Sequence, residues 1–174
     1  MKTYTVHLIR HAMTKENTEG KYIGQTDVEP TKEGLAQIKN LMDENEGYPY
    51  ADVVISSPLK RCTETAKLIY PEKEPVIMQD LIEYDFGDFE GMTADELKDL
   101  DTFKDWISGA HPEEPVPFGE SQKEFNDRIC KCFIRIIEGI IKSGTRSTAI
   151  ITHGGVIMSL MAAFAIPEAP MHEW

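Results

Sequence analysis

Residues 8–17 read LIRHAMTKEN, a short apolar run that ends in an arginine and a histidine and continues as a polar segment. Apolar and more polar residues alternate along residues 3–8, with the period of two that is typical of a β-strand. Open α/β sheets build their sites at the carboxyl ends of their strands. We therefore expect Arg10 and His11 at a functional site, although a surface ion pair beside a loop histidine would give the same two residues.

The rest of the chain alternates short apolar strands with helices. Apolar runs predict further strands at residues 51–55, 75–78 and 148–152. The sequence also predicts five helices. The first begins at Pro30-Thr31, buries Leu35, Ile38, Leu41 and Met42, and ends before Gly47, and the second has Pro58 in its first turn. The others are a short helix capped by Thr93 and Glu96, a long one from Ser121 to Gly144, and an apolar one over 156–164. This order predicts an α/β fold, a three-layer α/β/α sandwich with a mostly parallel central sheet, in a single domain over residues 1–174.

Composition and charge exclude several classes of function. The chain of 174 residues has 18 Lys and Arg against 30 Asp and Glu, a formal net charge of −12, which disfavours binding to a nucleic-acid backbone. No apolar run approaches the roughly 18 residues of a membrane span, and no leader precedes the first strand, so we expect a cytoplasmic protein that binds no membrane. A small phosphate ester could still bind where a few arginines converge, since clefts focus the electric field.

The cysteines and acidic residues give no sign of a disulfide framework or a metal. Cys62, Cys130 and Cys132 are odd in number and fit apolar fillers in a reducing compartment. No ligand spacing typical of a metal site stands out among the histidines and carboxylates. We therefore expect neither a metal nor another cofactor.

Three strand-to-helix junctions carry polar residues that a parallel sheet would bring to one edge. They are Arg10-His11, residues 57–61 with Ser57 and Arg61, and residues 152–155 with His153 before two glycines. Guanidinium groups bind phosphate oxygens in pairs, and imidazoles can act as nucleophile or hydrogen-bond donor. The glycines allow close backbone approach, and the start of the following helix favours an anion. The three junctions together predict a site for a tetrahedral phosphate dianion.

Five motifs occur in an order that resembles a known family. They are Arg10-His11-Ala12 with Thr14 and Asn17, Ser56 to Arg61, the acidic loop with Leu81, Glu83, Gly87, Glu90 and Gly91, Gly119-Glu120-Ser121, and Thr152 to Gly155. In this order the chain resembles the histidine phosphatase superfamily, the phosphoglycerate mutase-like group, and within it the small phosphatases of the α-ribazole phosphatase type. The matches extend over residues 3–164. The resemblance implies a phosphoglycerate mutase-like fold.

The resemblance also implies a role for each residue of the site. His11 would attack phosphorus and form a phosphohistidine that water then hydrolyses. Glu83 would donate a proton to the leaving oxygen, and His153 would take part in the chemistry with it. The phosphoryl oxygens would be held by Arg10, Asn17, Arg61 and His153. No metal is implied.

Several assignments have alternatives. The rivals of Glu83 as the acid are its loop neighbours Asp85, Asp88 and Glu90. Tyr22 and Phe118 could line a pocket for the leaving group or could serve only in packing. The histidines that we expect to stay outside the chemistry are His7, His111 and His172, of which His111 lies in a Pro-rich loop or lid over residues 111–119.

The chain departs from the family pattern at two places. Ala12 stands where the family more often has glycine, which is tolerable unless the position requires a positive φ. The sequence ends at Trp174, where similar proteins continue into one more strand, so the presence of that final edge strand is left open.

The expected function is hydrolysis of a small phosphomonoester metabolite through a phosphohistidine. One alternative is a phosphoglycerate mutase-type isomerase, but mutases of this family carry a longer insertion than the 70 residues from Glu83 to His153. The other is a catalytically silent phosphate-binding regulatory module, which would not need both a nucleophile and an acid. The family suggests α-ribazole phosphate, sugar phosphates or nucleotides as substrates. Neither the choice among them nor the oligomeric state can be predicted from these residues.

Overall fold

A four-stranded parallel sheet lies at the centre of the protein, for which a computed structural model describes residues 2–45 and 47–165. The strands are β1 (Thr5–Arg10), β2 (Val53–Ser56), β3 (Val76–Ile77) and β4 (Ser147–Thr152), in the spatial order β1-β4-β2-β3. Arg10 pairs with Thr152, and Ser56 pairs with Ile151, so β1, β4 and β2 end at the same edge. The predicted strands and their parallel arrangement are confirmed.

Helices cover both faces of this sheet. The helices are α1 (Lys15–Thr18), α2 (Lys32–Glu44), α3 (Lys60–Ile69), α4 (Ala94–Leu97), α5 (Asp101–Ser108), α6 (Gln122–Ser143) and α7 (Gly154–Phe164). Ala149 and Ile151 of β4 pack in one apolar cluster with α2 and α3, while Ile150 between them packs in a second cluster with α6 and α7. Successive side chains of a strand point to opposite faces. This alternation gives the predicted three-layer sandwich.

Hydrogen bonds of the predicted types begin and end the main helices. The Ser121 hydroxyl accepts the N–H of Glu124, whose carboxylate accepts the N–H of Ser121 in return, and the same reciprocal pair joins Thr93 and Glu96. Gly144 ends α6 with a φ of 77°, a left-handed conformation that a residue with a side chain adopts at a cost. The two capping boxes and this stop were predicted from the sequence.

Four details of the helices differ from the sequence-based prediction. Leu41 is 46% exposed, so the inward face of α2 is narrower than expected. Pro58 precedes Leu59, the cap residue of α3, and therefore lies outside the first turn. Helix α7 begins at Gly154 rather than at Val156, so the two glycines belong to its first turn. The short helix α1 and helix α5 were not predicted; at the start of α5, Leu100 offers no capping side chain.

The loops and chain ends complete the comparison. Residues 111–119 form a loop, and the acidic loop contains two short 3₁₀ turns. Among the described residues, Phe118 is the only non-glycine with a positive φ, so Ala12 meets no backbone penalty, as predicted. His172 and the expectation about an edge strand near Trp174 lie outside the described residues. None of the helices described is long and apolar enough to cross a membrane.

Substitution by alanine should change the stability of the protein in opposite directions at two glycines, one inside α6 and one directly after its last residue. Gly139 lies inside the helix with open space around an added methyl group, so Gly139→Ala should raise the free energy of unfolding by about 0.5–1 kcal/mol. Gly144 has the same open space but a positive φ, so Gly144→Ala should lower it by about 1 kcal/mol. Urea denaturation of both variants checks this. Shifts of the same sign in the two variants would contradict the assignment of the helix end.

Candidate active site

Residues that follow β1, β2 and β4 meet at the carboxyl edge of the sheet. The N–H of His11 donates to the carbonyl of Thr152 at 3.0 Å, and the N–H of Ser57 donates to that of Ile151 at 3.0 Å. These bonds extend the sheet pairing by one residue on each side of β4. The His11 and His153 rings lie edge to face with centroids 5.2 Å apart. The structure thus brings together the three junctions that the sequence singled out.

His11 is held as a neutral imidazole with one defined tautomer. Its ring is 8% exposed, and Nδ1 lies 2.8 Å from the carbonyl oxygen of Ala12. Because a carbonyl only accepts, Nδ1 carries the hydrogen and Nε2 carries the lone pair. Burial lowers the pKa of His11 to about 4, against the opposing effect of the Ala12 carbonyl and with help from the charges of Arg61 and Arg10. The unprotonated Nε2 is therefore a competent nucleophile at neutral pH.

The turn that carries His11 is fastened to α3. The N–H of Ala12 donates to the hydroxyl of Thr65 at 2.9 Å, and that hydroxyl donates to the carbonyl of Arg61 at 2.6 Å. Ala12 is 2% exposed, so its methyl group also fills space in the core. The sequence analysis gave Thr65 no role of its own, although Thr65 lies one helical turn beyond Arg61 in the continuation of the same motif.

Arg61 places a buried positive charge behind the two histidines. Its guanidinium donates through Nη2 to the carbonyl of Gly24 at 2.6 Å, through Nη1 to that of Thr26 at 2.9 Å, and through Nε to Nδ1 of His153 at 3.3 Å. These bonds use three of its five N–H donors and leave two for an anion. Burial lowers the pKa of Arg61, yet a guanidinium remains charged in proteins.

His153 is also neutral, with the opposite tautomer. Its ring is completely buried. Because Nδ1 accepts from Arg61, the hydrogen lies on Nε2, which is 2.7 Å from the hydroxyl oxygen of Ser57. Burial, together with the charge of Arg61, lowers the pKa of His153 well below its usual value. His153 is therefore a fixed hydrogen-bond donor at physiological pH.

Glu83 is a buried carboxyl group at the start of α7. Its Oε1 accepts the N–H of Tyr84 at 2.9 Å, and Oε2 accepts the N–H of Gly155 at 3.0 Å. Burial raises the pKa of Glu83, and these two hydrogen bonds and the charges of Arg61 and Arg10 only partly oppose that effect. A raised pKa favours the protonated form, which can donate a proton.

The rival carboxylates of the acidic loop have other partners. Asp85 accepts the N–H of Gly87 at 3.1 Å, and Asp88 is exposed. Both oxygens of Glu90 accept the N–H of Gly24 at 3.0 Å, which holds the segment whose carbonyls bind Arg61. Of these four carboxyl groups, only that of Glu83 is buried. The geometry favours Glu83 as the acid.

Arg128 on α6 fastens the acidic loop and was missed by the sequence analysis. Its guanidinium donates to the carbonyl oxygens of Asp80, Ile82 and Glu83 at 2.9, 2.9 and 3.4 Å. It also pairs with the carboxylate of Glu120 at 2.6 Å, and this carboxylate accepts the N–H of Asp85 at 2.9 Å. Glu120 belongs to a recognised motif, but nothing in the sequence marks Arg128 as its partner.

Two of the predicted phosphate-binding residues lie further out. The side chain of Arg10 is exposed, and a methyl group added to Gly154 would lie 3.6 Å from its guanidinium carbon, so Arg10 lies beside the start of α7. The side-chain oxygen of Asn17 accepts the N–H of Thr14 at 3.1 Å, in a capping box that begins α1. The structure thus gives Asn17 a structural role in addition to its proposed one.

The remaining candidates divide between the site and the surface. Tyr22 lines a cavity beside Glu83, whereas Phe118 is 91% exposed and does not line it. His111 is exposed near Glu114, and His7 contacts Ser147 in the sheet, so both lie apart from the two central histidines.

In the part of the chain that the structure describes, thiols and metal-binding side chains do not form a separate centre. Cys62, Cys130 and Cys132 are all free, and burial raises the pKa of Cys62 to about 12, which keeps it an unreactive thiol. Across residues 2–45 and 47–165, no three side chains of His, Cys, Asp or Glu are grouped to hold a metal ion.

Comparison with known proteins decides the family. The family model for the histidine phosphatase superfamily (branch 1) matches residues 6–174. The chain belongs to this superfamily. The adenosylcobalamin/α-ribazole phosphatase of Escherichia coli is 30% identical over 159 residues, which cover 89% of this chain and 76% of that protein. An acid phosphatase of Mycobacterium tuberculosis is 30% identical over 156 residues, which cover 88% of this chain and 72% of that protein.

Solved structures of the superfamily share the fold. A putative α-ribazole-5'-P phosphatase from E. coli superposes with a TM-score of 0.84 at 25% identity, over 99% of this chain and 85% of that one. A phosphoglycerate mutase from Bacillus anthracis superposes with a TM-score of 0.81 at 22% identity, over 93% of this chain and 80% of that one. The phosphoglycerate mutase-like fold is therefore confirmed. The superfamily relatives include both phosphatases and mutases.

Gly155 lies so close to Glu83 that an added side chain at residue 155 is expected to lower catalytic activity. A methyl group at residue 155 would lie 2.5 Å from Oε1 of Glu83 and would push this carboxyl group, the expected acid, out of place. Gly155→Ala should therefore lower kcat/KM for an alkyl phosphate by roughly 10²-fold or more. The matched variant Gly154→Ala places its methyl group at an ordinary 3.6 Å from Arg10 and should lose less. An equal loss in the two folded variants would contradict this role of Gly155.

Proposed function

We propose that this protein is a metal-independent phosphomonoester hydrolase that acts through a phosphohistidine on a small phosphorylated metabolite. The observation that carries the proposal is the state of His11. Its Nδ1–H is held by the Ala12 carbonyl, and its pKa is lowered to about 4, so Nε2 is an unprotonated nucleophile at neutral pH. Arg61, His153 and the carboxyl group of Glu83 surround it with the groups that phosphoryl transfer requires.

The first step transfers the phosphoryl group to the enzyme. The lone pair of His11 Nε2 forms a bond to phosphorus while the bond from phosphorus to the ester oxygen breaks. Arg10 and Arg61 stabilise the charge on the phosphoryl oxygens, with Asn17 and His153 proposed as further donors. The Nε2–H of His153 donates to the Ser57 hydroxyl in this structure and would exchange that partner for a phosphoryl oxygen. The leaving oxygen takes the proton of the Glu83 carboxyl group and departs as an alcohol.

The second step releases phosphate. The Glu83 carboxylate left by the first step takes a proton from a water molecule that attacks phosphorus. The bond from phosphorus to Nε2 breaks, inorganic phosphate leaves, and both His11 and Glu83 return to their starting states. The same carboxyl group, that of Glu83, thus acts as the acid in the first step and as the base in the second, and neither step needs a metal ion.

Hydrolysis is favoured over the two alternatives. The 70 residues from Glu83 to His153 fit a small phosphatase better than a mutase with a longer insertion. Two of the relatives at 30% identity are phosphatases. A silent phosphate-binding module would not need a buried carboxyl group, whose desolvation opposes its charged form, beside a neutral histidine. The three free thiols fit a reducing compartment, and we propose a cytoplasmic location.

Removal of the nucleophile tests the proposal directly. The protein should hydrolyse p-nitrophenyl phosphate after EDTA treatment, and His11→Ala should lower kcat by roughly 10³-fold or more. His111→Ala, a substitution of an exposed histidine, should retain the wild-type rate. Acid-labile, base-stable label from a ³²P-phosphate ester should appear on the wild type and not on His11→Ala. Turnover that survives in His11→Ala, or that is lost with EDTA, would refute the mechanism.

The pH dependence of kcat/KM provides a second test. Because His11 must be neutral, activity should rise as the pH passes through about 4, where it loses its proton. Because Glu83 must be protonated, activity should fall above the raised pKa of this carboxyl group, which gives a bell-shaped profile. Glu83→Gln should lower kcat for an alkyl ester by about 10²–10⁴-fold and remove the alkaline decline.

A matched substitution in the same loop controls that experiment. Asp88 is exposed, so Asp88→Asn should leave both sides of the profile in place. An alkaline decline that persists in Glu83→Gln and disappears in Asp88→Asn would show that another carboxyl group is the acid.

A further inference from the structure

A cavity of about 200 Å³ opens beside Glu83. Because Glu83 is the group proposed to protonate the leaving oxygen, the alcohol portion of a phosphate ester would enter this cavity. Its apolar lining comes from Tyr22, Tyr84, Phe86, Trp106, Phe125 and Met158. An apolar cavity of roughly 150 Å³ accommodates benzene in another protein. The cavity therefore has room for one ring.

The aromatic side chains form a continuous wall. The Phe86 ring lies 5.0 Å from that of Tyr84, 5.2 Å from that of Tyr22 and 5.8 Å from that of Trp106, measured between centroids. The Tyr22 and Trp106 rings are perpendicular at 5.6 Å. Offset and edge-to-face contacts of this kind are favourable beyond simple burial. Each ring is thus held in place by its neighbours.

The polar atoms of two side chains of this wall, Trp106 and Tyr84, are bonded to the protein. The indole N–H of Trp106 donates to the hydroxyl oxygen of Tyr84 at 3.1 Å, and the Tyr84 hydroxyl donates to the carbonyl of Glu120 at 2.6 Å. With these groups committed, the two side chains offer mainly their ring carbons to the cavity.

The charge of the cavity excludes acidic leaving groups. Among the described residues that line it there is no lysine or arginine, and the lining carboxyl group is that of Glu83. The polar lining residues Gln122 and Asn126 are neutral amides, already bonded to the Trp106 carbonyl and to the Ser159 hydroxyl, each at 2.6 Å. A carboxylate placed here would lose its water without gaining a cation, which is costly.

We propose that the site takes phosphomonoesters whose alcohol portion carries an uncharged, flat ring close to the ester oxygen. Trp106 and Phe86 then determine specificity by contacting the ring. Met158 contributes an uncharged side chain to the lining and so offers no cation to an acidic substrate. This inference rests on the proposed function, since it places the alcohol portion beside Glu83. It excludes phosphoglycerate and phosphoserine as good substrates because both carry a carboxylate near the phosphate.

Binding of phosphonates, which cannot be hydrolysed, tests this preference without requiring turnover. By titration calorimetry on the full chain, benzylphosphonate should bind about 10-fold or more tightly than 3-phosphonopropionate, since burial of the ring is favourable and that of the carboxylate is not. Trp106→Ala should reduce this ratio by about 10-fold, and Trp106→Phe should restore most of it. Ile107→Ala, which changes a side chain that is 62% exposed on the same helix, should leave the ratio unchanged.

A charge introduced at Met158 gives an independent test. Met158→Lys adds a cation at a half-buried position of the lining and should shift the preference toward 3-phosphonopropionate. Equal or tighter binding of 3-phosphonopropionate by the wild type would overturn the proposal, as would an unchanged ratio in folded Trp106→Ala or Met158→Lys. A chain that prefers benzylphosphonate but does not hydrolyse p-nitrophenyl phosphate would contradict the hydrolase and support the ring preference. A hydrolase without this preference would contradict the ring preference alone.

Discussion

The buried guanidinium of Arg61 is the constraint on which the rest of the site depends. A buried charge is costly unless its donors are satisfied, and here two backbone carbonyls and an imidazole accept from it. One of those carbonyls belongs to Gly24, where a side chain would overlap the backbone oxygen of Tyr84. The carboxylate of Glu90 holds the N–H groups of Gly24 and Thr26. The acidic loop therefore supports the cation from behind as well as supplying Glu83, the proposed acid.

Burial favours the neutral forms of Glu83 and of both histidines. Removal from water disfavours the charged form of every group, so it lowers the pKa of His11 and His153 and raises that of Glu83. The charge of Arg61 lowers all three and so opposes burial only at the carboxyl group. A neutral His11 and a protonated Glu83 can consequently coexist over a range of pH, as the proposed phosphoryl transfer to His11 requires.

The sequence predicts those parts of the molecule that follow a short local pattern. The four strands are short apolar runs, and Ser121 with Glu124 spells out the start of α6 three residues apart. The arrangement of His11 and His153 follows from parallel pairing, which brings strand ends to one edge. The roles of Thr65 and Arg128 escape such reasoning because both side chains fasten backbone atoms of distant segments, the N–H of Ala12 and the carbonyls of residues 80 and 82, which leave no periodic signal. Helix α5 escapes it because its start lacks a capping side chain.

Helix α5, which was not predicted, carries Trp106, the residue proposed to contact the ring of the substrate. The groups proposed to contact phosphate follow the strands in recognisable motifs, whereas the cavity beside Glu83 is assembled from the loop after α1, the acidic loop, α5, α6 and α7. Trp106 lies on α5 and is oriented by Tyr84, which follows Glu83 directly in the chain. The same backbone segment thus positions the acid and the aromatic wall. Trp106 itself lies on α5 and outside the strands, so a substitution there leaves in place the side chains that the sheet edge contributes to the proposed chemistry.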